Sequence, residues 1–99
     1  MTFVQRITPL LIEVAHKALD HQLFAFVEGL GNFLNALKSG QWERLPDDEQ
    51  MFWLERVANL LGGRDGLSEN FGFRDENVSR ALEIVQAEKR AIERRTSVA

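Results

Sequence analysis

The chain has 99 residues, 44% of them hydrophobic and 27% charged, a composition that suits one folded domain and not a disordered segment. It contains no cysteine, which excludes disulfides, thiolate zinc sites and cysteine nucleophiles and permits a reducing cytosol. The net charge of −3 is unevenly spread: residues 1–40 balance three acids with three bases, residues 41–76 set nine acids against four bases, and residues 77–99 hold five bases against three acids. A concentrated basic surface of the kind that nucleic acid requires is missing outside the last turns, so the acidic middle suits a basic protein partner better.

Thr8-Pro9 reads as a helix start, since the hydroxyl can cap and proline is tolerated in the first helical position. Residues 1–7 are then an N-terminal segment expected to fray. Leu11, Ile12, Ala15, Ala18 and Leu19 follow at helical spacing. No glycine or proline separates this helix from the next, yet one helix from Pro9 to Lys38 would be about 45 Å long. A domain of this size has a radius of gyration of only about 13 Å, which demands a break near Leu19–Gln22, with Asp20 as a candidate cap.

Leu23, Val27, Leu30, Leu34 and Leu37 mark a second helix, with Phe26 and Phe33 widening its stripe and Phe24 falling off it. Gly40 ends it. This is the most apolar stretch, but Glu28, Asn32 and Asn35 interrupt it, and it is shorter than the roughly 20 residues of a membrane span. The first eleven residues lack the features of a secretory signal, so the expected setting is soluble and cytoplasmic.

A third helix starts at Leu45-Pro46-Asp47-Asp48-Glu49, where acids occupy the first turn, and runs to about Leu61. Met51, Trp53, Leu54, Val57, Ala58, Leu60 and Leu61 give it a broad apolar face, while Phe52 lies among Glu55, Arg56 and Asn59. Residues 62–74 (GGRDGLSENFGFR) read as one long glycine-rich loop, a length more typical of functional loops than of connectors. A last helix begins near Asp75–Asn77 and presents Val78, Ala81, Leu82, Val85 and Ile92 as a narrow stripe interrupted by Lys89. Residues 94–99 are expected to fray. The expected fold is therefore all-α: a compact bundle of four main helices forming a single domain over residues 1–99.

Catalytic and metal chemistry find little to stand on. Glu13-x-x-His16 has the spacing of a di-metal ligand pair, but such sites need two pairs and two further carboxylates on facing helices. A solvated polar face is the plainer reading. Gly63-x-x-Gly66 lacks the basic setting of a nucleic-acid clamp, the Gly-Lys-Ser/Thr of a phosphate loop and the spacing of a calcium loop. No serine lies in a nucleophile elbow, and Asp47-Asp48 is explained by helix-start electrostatics. No catalytic residue, metal site or cofactor is expected.

The residues Leu60-Leu61-Gly62-Gly63-Arg64-Asp65-Gly66-Leu67-Ser68-Glu69 follow a helix pair and end an apolar helix in a Gly-Gly loop with a polar-acidic element. In this layout, over residues 15–75, the chain resembles a family of small bacterial helical proteins of unknown function. It departs from that pattern by one extra residue after Gly-Gly and by Ser68-Glu69 in place of Asn-Asp. Its size and charge also resemble those of immunity proteins that neutralise bacterial toxins, an analogy of scale and charge. Aromatics in polar surroundings supply hot spots when exposed, and acids steer a basic partner. The residues expected at an interface are accordingly Trp42, Asp47, Asp48, Phe52, Glu55, Arg64, Asp65, Glu69 and Phe71. The expected function is an immunity-type inhibitor that binds a toxin or nuclease. The alternative is a homo-oligomeric structural or regulatory helical protein, such as a homodimer or a phage-encoded inhibitor of a host defence complex.

Overall fold

The first helix begins six residues ahead of Thr8-Pro9. In the computed structural model, which describes residues 1–62 and 76–97, helix α1 runs Phe3–Asp20 from an N-cap at Thr2. Thr2 Oγ1 accepts from the Gln5 N–H at 3.1 Å and Gln5 Oε1 accepts from the Thr2 N–H at 3.0 Å, a capping box that satisfies two orphan donors. Residues 1–7 therefore do not form a frayed segment, and Pro9 lies inside the helix. The N–H that proline lacks would have bonded to the Gln5 carbonyl; Gln5 is exposed, so water can take that place. Burial of Ile7 and the packing of Phe3 and Val4 on the core reward the early start.

Moving the start resets the face of α1. Ile7, Leu11, Val14 and Ala18, at spacings of four, three and four, are all fully buried. Ile12 and Leu19, expected in the stripe, are instead exposed at its edge. The break falls where chain length demands it. The Gln22 N–H bonds to the Leu19 carbonyl and the Leu23 N–H to the Ala18 carbonyl, a Schellman closure with Gln22 in the left-handed region at φ 59°. Asp20 is the last residue of α1 and caps nothing: the N-cap position of the next helix is Leu23, which makes no side-chain cap bond.

Helix α2 (Phe24–Leu37) buries Phe26, Leu30, Phe33 and Leu37, while Leu23, Val27 and Leu34 are only half-buried. The phenylalanines thus form the centre of the stripe and not its margin. A 3-10 turn, Lys38–Gly40, follows, and Gly40 takes φ 70°, a conformation that glycine adopts without Cβ strain. That reversal starts a one-turn helix, α3 (Gln41–Arg44), which the sequence pattern did not suggest. Helix α4 (Asp47–Gly62) opens with Asp47, Asp48 and Glu49 in its first turn and buries Leu54, Val57, Ala58 and Leu61. Helix α5 (Glu76–Ser97) buries Val78, Ala81, Val85 and Ile92. It stays helical through Arg94, Arg95 and Thr96, so the fraying expected from residue 94 does not begin there.

α1 packs on α2 and α5, and α4 packs on α5 and α2, which closes a ring of four helices around one apolar cluster. Where α2 meets α4 the approach is close: a Cβ on Gly29 would lie 2.8 Å from Leu60 Cδ1. All described secondary structure is helical, and no helix among the described residues is long and apolar enough to cross a membrane. The long loop expected over 62–74 lies outside the described residues apart from Gly62, which ends α4.

Candidate functional site

The first turns of α4 and the last turns of α5 enclose a groove of about 430 Å³. Asp47, Asp48, Met51, Phe52 and Glu55 form one wall and Ile92, Glu93 and Thr96 the other. The α4 residues share a face because steps of three and four bring side chains into register on a helix. Four of the residues expected at an interface, Asp47, Asp48, Phe52 and Glu55, therefore meet in one place. The aspartates at the helix start are favourable to α4 itself, since the N-terminal partial positive charge offsets them. Negative charge is thus held at the groove mouth without loss of helix stability.

The groove floor is apolar and its rim charged. Phe52 is 54% exposed, although its ring meets Trp53 edge-on at 5.9 Å and the Arg56 guanidinium lies 5.4 Å from its centroid. A phenylalanine has only two side-chain torsions to fix, so it loses little conformational freedom when a partner covers it. On the rim, Arg95 Nη2 donates to Asp47 Oδ1 at 2.7 Å and to Gln50 Oε1 at 3.3 Å. Gln50 is buried, and its Nε2 donates to the Trp42 carbonyl at 2.7 Å. This chain of bonds ties the end of α5 to α4 and α3. Asp48, Glu55 and Glu93 make no ion pair among the described residues.

Trp42 is buried and is not part of the groove. It is 3% exposed, with its ring 5.4 Å from Phe3 and 5.7 Å from Phe33. The expectation of exposure fails because Phe3, assigned to a frayed segment, is in α1 and walls the site, and because α3 turns the indole inward. Asp47 is also less free than expected, being paired with Arg95. Arg64, Asp65, Glu69 and Phe71 lie outside the described residues.

Met51, Ile92, Glu93 and Thr96 escaped the sequence reading. Met51 read as core, and Glu93 lies in the stretch with a basic balance. Only the packing of α5 against α4 places the two walls together. Glu13 and His16 do not converge with further ligands: Glu13 Oε2 accepts from Asn77 Nδ2 at 2.6 Å, a tie between α1 and α5. No cluster of three or more histidines and carboxylates fit to hold a metal exists among the described residues. The chain matches no family model, no curated protein and no solved structure.

Proposed function

We propose that this chain acts without catalysis, by binding another protein whose basic surface covers the groove between α4 and α5. The observation that carries the reading is the meeting of Asp48, Glu55 and Glu93 with an exposed Phe52 over an apolar floor. An apolar anchor inside a charged rim is the anatomy of a specific interface: the anchor supplies the energy and the rim the steering. Within this class we favour an immunity-type inhibitor of a toxin or nuclease acting in the cytoplasm. The small size and the acidic balance of residues 41–76 support that form, since a cationic enzyme is blocked by an anionic cover.

The test begins with the partner captured on the wild-type chain from its source cells. Association should slow as salt rises. Asp48→Lys with Glu55→Lys should slow association further, and Phe52→Ala should speed dissociation, while circular dichroism stays unchanged. Unchanged affinity for the charge-reversed chain, or a contact mapped to Arg80 and Arg90 on α5, would refute the proposal.

Self-association is the second reading. It draws on Ile12, Leu19 and Phe24, which are 42%, 48% and 63% exposed and lie away from the groove. Sedimentation equilibrium decides it. A monomer whose mass does not change with concentration would exclude this reading.

A further inference from the structure

The groove's charges have a spacing as well as a sign. Along α4, Asp48, Phe52 and Glu55 stand at positions i, i+4 and i+7 on one face, all exposed. At about 1.5 Å rise per residue, the two carboxylates are about 10 Å apart along the axis with the aromatic between them. Glu93 faces them from α5, and Met51 and Ile92 line the floor.

Asp47 is already taken. Its carboxylate holds the chain's own Arg95 guanidinium at 2.7 Å, with Gln50 Oε1 as a second acceptor for the same nitrogen. The groove rim thus binds a guanidinium within the molecule, and three carboxylates remain for an incoming cation.

We infer that the groove receives one amphipathic helical segment with two lysines or arginines seven residues apart and a large apolar side chain between them. The pattern mirrors that of α4: cations reach Asp48 and Glu55, the apolar residue covers Phe52, and Glu93 takes whichever cation faces α5. Lying along two packed helices, the segment would form a third ridge in their groove, a common mode of recognising amphipathic helices. The inference rests on the protein-binding reading and narrows it to one kind of segment.

The probe is a fluorescein-labelled 15-residue peptide with an Ala/Gln background, two lysines seven apart and one leucine between them. Its control has the same composition with the lysines adjacent. Anisotropy titrations of the intact chain should show the spaced peptide binding at least tenfold more tightly than the control, with the preference shrinking as salt rises. Phe52→Ala and the pair Asp48→Lys with Glu55→Lys should each weaken binding at least tenfold. Asp20→Lys should not. Phe3 at the start of α1 meets Trp42, whose carbonyl is linked through Gln50 to Arg95 near the groove. Glu13 bonds to Asn77 at the start of α5, so Asp20, further along α1, lies at the opposite end of α5 from the groove.

Equal binding of the two peptides, no binding of either, or equal weakening by Asp20→Lys overturns the inference. A benzophenone side chain in place of Phe52, irradiated in the source cells, separates this failure from that of the wider reading. A crosslink to a segment with the stated pattern supports the inference. A crosslink to a protein segment without it overturns the inference and leaves protein binding standing. If no protein is crosslinked, both fall.

Discussion

Two aromatic residues ten positions apart, Trp42 in α3 and Phe52 on α4, each have a Glu and an Arg within the next helical turn and have opposite fates. Trp42 precedes Glu43 and Arg44 directly, and Phe52 shares a helix face with Glu55 and Arg56, yet Trp42 is 3% exposed and Phe52 54%. The difference comes from what each element packs against. α3 is a single turn reached through the reversal at Gly40 and held by Gln50, so its one apolar side chain turns to Phe3 and Phe33. α4 already buries Leu54, Val57, Ala58 and Leu61, so its opposite face, with Phe52, is left to solvent. A ring in polar surroundings is thus core where its element is short and walled, and surface where its helix has another face to bury.

Removing each ring measures that contrast most strongly. Trp42→Ala should cost about 3–5 kcal/mol of unfolding free energy, the range for a large aromatic deleted from a packed core. Phe52→Ala should cost less than about 1 kcal/mol, as expected of a largely exposed site. Urea denaturation of the two variants tests this directly. Similar midpoints would show that the two regions are not different in kind.

A milder comparison sets α2 against α4 within the core. Leu30 is fully buried and Val57 is 1% exposed. Leu30→Ala should cost about 2–5 kcal/mol, and Val57→Ala somewhat less because fewer atoms are lost. Midpoints close to wild type for both would mean that the ring of helices is misassigned.

The four long helices were legible in the sequence because apolar spacing over three or more turns records burial directly, as in the α2 and α4 stripes, whereas the single turn of α3 has no such spacing. The break after α1 was legible from length alone. The start of α1 was not: Thr8-Pro9 is a stronger local signal than Thr2-x-x-Gln5, and only the packing of Phe3 and Val4 reverses that order. The burial of Trp42 was illegible for the same reason, since its walls come from α1 and α2. At the groove, the α4 wall could be read from one helix face. The α5 wall, with Glu93 and Ile92, depends on a register between helices that no local pattern encodes.

The smallest expected effect decides whether the two regions are energetically one. Trp42, Gln50, Arg95 and Asp47 form an unbroken line of contacts from the buried indole's backbone to the groove rim. The Arg95–Asp47 pair is short, but its side chains are 53% and 42% exposed, so water and salt screen it. A double-mutant cycle with Arg95→Ala and Asp47→Ala should therefore give a coupling of about 0.2–1 kcal/mol, shrinking as salt rises. The same cycle in a Gln50→Leu background asks whether the glutamine transmits anchoring from α3. Gln50 Oε1 is a second acceptor for Arg95 Nη2 and holds the guanidinium in place beside Asp47, so its loss should lower the coupling. A coupling untouched by Gln50→Leu would make the rim an independent surface feature. In that case Trp42 would anchor α3 alone, and the Arg95–Asp47 pair would hold without help from Gln50.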